Sequence, residues 1–143
     1  MAVKTYDPKG VVVSIGGSPI SGYADGTFVN ISRQNDTFTS VAGADGEVSR
    51  AKSNDKRGEM TLTLLQTSLS NDVLSALAVL DEKLGTGVVP IIVKDMSGLT
   101  TYFSGSGWIK KPADSEFGKE ISNRDWVFEL AEMEAFAGGV LIF

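Results

Sequence analysis

The stretch Glu59-Met60-Thr61-Leu62-Thr63-Leu64-Leu65-Gln66 decides the fold class. In an extended chain Met60, Leu62 and Leu64 point one way, and Glu59, Thr61 and Thr63 point the other. Strand side chains alternate with period two, so this pattern describes a strand with one face on a core and one on water. The same period recurs on both sides of it. Residues 27–33 place Val29, Ile31 and Arg33 on one side and Phe28, Asn30 and Ser32 on the other. Residues 123–133 place Trp126, Phe128 and Leu130 inward and Asp125, Val127 and Glu129 outward. Val11-Val12-Val13-Ser14-Ile15 is a β-branched run closed by Gly16-Gly17-Ser18-Pro19, with residues 20–23 as its returning arm.

Later turns space out further strands. Residues 88–94 contain Pro90, which belongs at a strand start or edge because it has no N–H to give a ladder. Asp95-Met96-Ser97-Gly98 has Asp first and Gly last, as a type I turn prefers. Residues 99–104 return as its hairpin partner, Gly105-Ser106-Gly107 makes a bulge or bend, and Trp108-Ile109-Lys110-Lys111 continues to Pro112. Residues 113–120 read as a loop, and Gly138-Gly139-Val140-Leu141-Ile142-Phe143 as a small exposed apolar tail.

One segment has helical period. Val73, Leu77, Leu80 and Leu84 recur at the spacing of a helix stripe, widened by Leu74 and Ala76, which predicts a helix over about 71–84 packed by that stripe on a sheet. Ser70 is placed as its N-cap, Asp72 lies at the positive end of the dipole, and Gly85 stands where a helix terminates. The expected fold is mainly β: an antiparallel β-sandwich or barrel-like sheet with this one flanking helix, in a single domain over residues 1–143. The expected core is Ile31, Met60, Leu62, Leu64, Leu77, Leu80, Ile92, Trp126 and Phe128.

Composition narrows function by exclusion. The 143 residues contain no cysteine and no histidine, so disulfides, thiolate zinc sites, Cys nucleophiles and His-based triads are all absent. With 13 Lys and Arg against 18 Asp and Glu, the net charge is −5, the wrong sign for gripping nucleic acid. No apolar run reaches the ~20 residues needed to span a bilayer, and the first residues lack the apolar stretch of a secretory leader. We expect no membrane insertion and no Sec-type signal.

The remaining chemical motifs are weak. Gly85-Thr86-Gly87 and Gly105-Ser106-Gly107 do not join a strand to a helix, so turn chemistry explains them better than nucleotide binding. Glu132 and Glu134 share one face if the strand continues through them, which would allow an acid pair or an oxygen-ligand cation site; a solvated or interfacial face is the simpler reading. No spacing selects a serine–lysine pair. We expect no catalytic residue, no cofactor and no metal.

Residues 34–58 differ from the rest. They are polar, poor in large apolar side chains, and contain Asp45-Gly46, a strong hairpin turn. A polar hairpin or ordered loop this long is usually functional or ordered by a partner. Its bases Arg50, Lys52, Lys56 and Arg57 are interleaved with the acids Asp45, Glu47, Asp55 and Glu59. Mixed signs suit a complementary copy of the same protein better than phosphate.

Several phrases in this order resemble one family: Tyr6-Asp7-Pro8 before Val11-Val12-Val13-Ser14-Ile15; Ile20-Ser21-Gly22-Tyr23-Ala24-Asp25-Gly26; Phe28-Val29-Asn30-Ile31-Ser32-Arg33; Gly43-Ala44-Asp45-Gly46-Glu47-Val48-Ser49-Arg50; Asp55-Lys56-Arg57-Gly58; Thr61-Leu62-Thr63-Leu64-Leu65-Gln66-Thr67 before a helix; and Asp125-Trp126-Val127-Phe128-Glu129-Leu130. Together they resemble the tail tube proteins of contractile-tailed bacteriophages, which are similar in fold to the hemolysin-coregulated ring proteins of type VI secretion. The resemblance implies a virion protein without enzymatic activity. Its copies would form hexameric rings stacked into a tube that conducts DNA without specific binding, assembled in the host cytoplasm and resident in the virion tail. The implied partners are further copies of itself, the tail sheath, and baseplate and tail terminator proteins.

By the same resemblance, Asp45, Gly46, Glu47, Arg50, Lys52, Asp55, Lys56 and Arg57 carry the contact between stacked rings. The polar sides of residues 27–33 and 59–66 are the expected lumen face. The alternatives are a ring or tube subunit of a phage-tail-like injection or type VI machine, a carboxylate-dependent hydrolase, and, from a different class, a carbohydrate-binding β-sandwich.

Overall fold

The computed structural model describes residues 3–139. In chain order its strands are β1 (Val11–Ile15), β2 (Ser18–Pro19), β3 (Val29–Arg33), β4 (Phe38–Ala42), β5 (Val48–Lys52), β6 (Gly58–Leu65), β7 (Val89–Asp95), β8 (Thr101–Lys111), β9 (Asn123–Leu130) and β10 (Glu134–Phe136), with the helix α1 (Ser70–Leu84) between β6 and β7. The main sheet runs β2-β1-β7-β8-β9-β6-β3, all antiparallel, with β10 on the remaining edge of β8; β4 and β5 form a separate hairpin.

The deciding stretch behaves as its alternation predicts. Along β6 burial alternates without a break, with Met60, Leu62 and Leu64 fully buried. β9 lies beside it, pairing Met60 with Phe128 and Leu62 with Trp126, so the two inward rows form one slab of core. β1 and β7 close the core from the other side with Val13, Ile15, Ile91 and Val93. The sheet therefore curls toward a barrel. Residues 20–24 cross between its ends: the Ile20 N–H donates to Val13 O at 2.9 Å, and the Ala24 N–H donates to Thr63 O at 3.1 Å. A cleft of about 850 Å³ remains between Val11, Val93 and Tyr102 on one wall and Val29 and Ile31 on the other.

Several expectations need correction. The arm returning from β1 is Ser18–Pro19 and not residues 20–23, because Gly16 and Gly17 both take positive φ (61° and 83°) and make a two-residue turn. The strand expected from residue 99 starts at Thr101 and runs as β8 to Lys111, with the expected bulge inside it, where Val89 pairs with Gly107 but Ile91 pairs with Ser104. A Cβ at Gly107 would collide with Ile91, which is why the bulge carries glycine there. Asn123–Leu130 ends earlier than expected. The chain bends at residues 131–133 and resumes as β10 in unchanged register with β8: Leu130 faces Gly107 and Glu134 faces Phe103. Glu132 lies in that bend, so it and Glu134 do not share a strand face. The expected tail is described only to Gly139; residues 140–143 lie outside the described residues.

The helix is where it was expected but docks by a different face. Ser70, Asn71 and Leu74 are buried, and Leu77 and Ala78 are packed against the core. Val73, Leu80 and Leu84 are exposed, so Leu80 leaves the expected core. Ile92 leaves it as well, because β7 turns Ile91 and Val93 inward and Ile92 outward. Ile31 and Leu77 are half-buried. Ser70 is not the cap. It is the first helical residue, and its hydroxyl accepts from the Ser21 N–H, while Ser68 Oγ accepts from the Ser70 N–H at 3.2 Å. At the other end Gly85 takes φ 68° and returns its N–H to Asp81 O, the termination its position predicted.

Candidate assembly surface

The segment over residues 34–58 folds as an arm. Ala42 pairs with Val48 and Phe38 with Lys52, and all ten strand residues of β4 and β5 are exposed. The tip is tight. The Gly43 N–H donates to Glu47 O at 2.8 Å, the Gly46 N–H to Gly43 O at 3.0 Å, and the Glu47 N–H to Asp45 Oδ1 at 3.1 Å, so the Asp carboxylate fixes the turn it initiates.

The register gives the arm two unlike faces. Phe38, Ser40, Ala42, Val48, Arg50 and Lys52 share one; Thr39, Val41, Ser49 and Ala51 share the other. The first face is cationic. The Arg50 guanidinium lies over the Phe38 ring, 4.1 Å from its centroid, on the face it shares with Lys52. The second face has no charged side chain, and Val41 stands 69% exposed on it.

At its base the arm is tied to the corner between β9 and β10. Arg57 binds Asp55 through two nitrogens, Nε at 2.9 Å and Nη2 at 2.8 Å, and its Nη1 lies 3.7 Å from Glu129. The Gln34 amide donates to Glu129 at 3.0 Å, and the Asn35 amide donates to Asp55 at 2.6 Å. Lys56 pairs with Glu134 at 2.9 Å. Main-chain groups join the same corner: the Met133 N–H donates to Lys56 O, and the Arg33 side chain donates through Nη2 to Met133 O at 2.8 Å. The Arg57 guanidinium and N–H, with the Asn35 amide, hold the Asp55 carboxyl at about 2, well below its ordinary value. The Lys56 ammonium, helped by Arg33, lowers Glu134.

The eight residues expected to act together therefore separate into two groups. Asp45, Gly46, Glu47, Arg50 and Lys52 are on the exposed arm, free to meet another surface. Asp55, Lys56 and Arg57 face back and clamp the arm to its own body. Sequence reasoning missed Phe38, Arg33, Gln34, Glu129 and Glu134 as their partners. Phe38 could have been found by folding the hairpin about Asp45-Gly46, which brings it beside Arg50. Arg33 and Gln34 are brought beside Arg57 by the pairing of β3 with β6, and Glu129 and Glu134, far away in sequence, by the pairing of β6 with β9 and the corner that follows it. Among the described residues no three carboxylates or other ligand groups gather into a possible metal site.

Comparison with known proteins agrees with this architecture. Residues 5–138 match the model of a family described as bacteriophage PhiTE tail tube protein. The chain is 31% identical over 143 residues to structural protein ORF10 of Pseudomonas phage KPP10, covering 94% of this chain and 83% of that one. Its fold is shared with a chain of the extended PVC sheath–tube complex of an extracellular contractile injection system (TM-score 0.59, 12% identity, 92% of this chain and 93% of that one). It is shared equally with a chain from the virion of a native gene transfer agent particle (TM-score 0.59, 11% identity, 93% and 100%). This curled antiparallel sheet with its single flanking helix belongs to the bacteriophage PhiTE tail tube protein family, and its role in the tail tube is structural.

Proposed function

We propose that this chain is the ring-forming subunit of a phage tail tube: six copies close a ring, rings stack through the β4–β5 arm, and the genome passes through the stack. The observation that carries the stacking role is the arm itself, exposed on both faces and clamped at its base. An isolated two-stranded hairpin is marginally stable in water, so an arm of this kind gains most of its order from what it lies against. Asp45, Gly46, Glu47, Arg50 and Lys52 make the contact, and Asp55, Lys56 and Arg57 set the angle of the arm. A contact between unlike surfaces of identical copies repeats without limit, as a tube requires.

Conduction is supported by the outer face of β3, β6 and β9. It presents Asn30, Ser32, Thr61, Thr63, Asp125 and Glu129, with Thr63 donating to Asp125 at 2.7 Å. A mostly polar face, on a chain of net charge −5, repels phosphate over a Debye length of ~8–10 Å and offers it no specific seat. The partners of such a tube are the sheath around it and the baseplate and terminator proteins at its ends. Its location is the virion tail after assembly in the host cytoplasm.

Electron microscopy of the purified protein tests this directly. Wild-type protein should give rings and tubes, and the Arg50→Glu, Lys52→Glu double variant should give rings without tubes. Tubes of wild-type length from the double variant would remove the arm from the contact.

A further inference from the structure

Among the described residues, one apolar surface on the helix and one on the sheet are left uncovered. Leu69, Val73, Ala76, Leu80 and Leu84 follow one another at intervals of four, three, four and four residues, which places them on one stripe along α1 and its leading residue. All five are exposed, Leu80 by 48% and Leu84 by 69%. The core meets a different side of the helix, through Asn71, Leu74 and Ala78. A stripe of this spacing is what a helix presents to something it packs on, and its own sheet does not use it.

The second surface is the outer face of β1, β7, β10 and the first half of β8. Register places Val12, Lys94, Thr101 and Phe136 in one row across the four strands and Ser14, Ile92, Phe103 and Glu134 in the next. Val12, Ile92, Phe103 and Phe136 thus form a continuous apolar patch, about 14 Å wide at a strand spacing of about 4.8 Å. Phe103 is 41% and Phe136 61% exposed. The other half of the same outer face, over β3, β6 and β9, is mostly polar, with only Val127 and Leu65 half-buried among its polar side chains, so the exposed apolar area lies on one side of the sheet.

An apolar helix stripe and an apolar sheet face are the two surface types that pack together in layered folds, and this chain exposes one of each. The charges match too. Asp72 borders the stripe and Lys94 stands in the patch, and among the described residues neither is in an ion pair. We propose that the outer stripe of α1 in one copy packs on the Val12–Ile92–Phe103–Phe136 face of the next, and that this contact closes the ring. The inference rests on the ring reading above and adds which surfaces meet. Because the two surfaces are different parts of the chain, each copy gives its helix to one neighbour and its sheet to the other, so the contact recurs from copy to copy and gives a ring where the rotation between neighbours closes.

The asymmetry supplies the test. Leu80→Glu spoils the helix surface and Phe103→Glu the sheet surface, both at exposed positions where folding is expected to survive. In light scattering, wild type should form rings, and each variant alone should stay monomeric. An equimolar mixture should double in mass and stop, because the intact helix of the Phe103→Glu copy still fits the intact sheet of the Leu80→Glu copy.

Rings from either variant alone, or a mixture that stays monomeric, would overturn the contact while leaving the ring reading in place. A wild type that is monomeric throughout would overturn both. Variants that assemble normally but lose binding to a purified sheath protein would reassign the surfaces to that partner. If the charges disturb folding, the cysteine-free chain gives a second readout. Leu80→Cys with Phe103→Cys in one chain should yield a ladder of linked copies with a short bifunctional maleimide, and each single-cysteine variant should not. Rings without a ladder would count against the contact.

Discussion

Trp126 donates its indole N–H to Asn71 Oδ1 at 2.9 Å inside the core, joining the first turn of α1 to the middle of β9. Asn71 is 3% exposed, and its amide nitrogen donates in turn to Leu65 O at 3.0 Å, at the end of β6. One amide therefore satisfies two elements at once. Removing one partner of a buried hydrogen bond strands the other at about 1–3 kcal/mol. Asn71→Ala should destabilise the chain by about 2–3 kcal/mol, read as a lower urea midpoint at unchanged slope. An unaltered midpoint would mean that the bond contributes nothing to holding the helix on the sheet.

Met133 folds back over Gly58, where β6 begins. A Cβ on Gly58 would come within 2.5 Å of the Met133 sulfur and 3.1 Å of its Cβ. Gly58→Ala should overpack this corner and cost about 1–3 kcal/mol. Met133→Ala should lose its own packing but leave room for the new methyl. The double variant should therefore be less destabilised than the sum of the singles in a double-mutant cycle. Strict additivity would show that the two side chains do not compete for the space.

The base of the arm should respond to acid late. The Asp55 carboxyl sits at about 2 in the folded chain against an ordinary 3.8. A depressed folded value means that the Arg57 pair contributes fully above the ordinary value and is lost as pH falls through about 2. Carboxyl carbon resonances should titrate Asp55 near pH 2, and Arg57→Gln should move that titration upward toward the ordinary value. A wild-type Asp55 that already titrates at 3.8 would contradict the clamp.

What was legible in the sequence follows from how local each signal is. The alternation of Met60, Leu62 and Leu64 reports burial of the chain carrying it, so the inward rows of β6 and of β9 up to Leu130 were readable, while the bend after Leu130 was not. The hairpin over residues 34–58 was readable from Asp45-Gly46 alone, since a turn is made by its own residues. The clamp was not, because Glu129 and Glu134 reach Arg57 and Lys56 only once β9 pairs with β6, a partner distant in sequence. Val73, Leu80, Leu84 and Ile92 failed for another reason. Periodicity tells which side chains share a face; it does not tell whether the chain's own sheet covers that face. Four apolar residues assigned inward by pattern and found outward by structure mark where the fold of one copy leaves apolar surface open.

The last prediction separates positioning from charge on the arm. Arg50 is held over the Phe38 ring at 4.1 Å, an exposed cation–π contact of roughly 0.5–1 kcal/mol. Phe38 is outside the core cluster, so Phe38→Ala should cost the monomer no more than the contact itself, about 1 kcal/mol. The variant frees Arg50 to rotate, however, and a mobile guanidinium gives up side-chain entropy each time it docks. Tubes of Phe38→Ala should be shorter at equal protein concentration, with rings unaffected. Phe38→Trp keeps an aromatic platform and should restore length. Raising salt to 1 M, where the Debye length falls to about 3 Å, should shorten wild-type tubes toward those of the Arg50→Glu, Lys52→Glu variant. If Phe38→Ala and Phe38→Trp give equal lengths, the ring beneath Arg50 does not position it. If salt leaves wild-type tubes unchanged, the cationic face of the arm is not what neighbouring rings read.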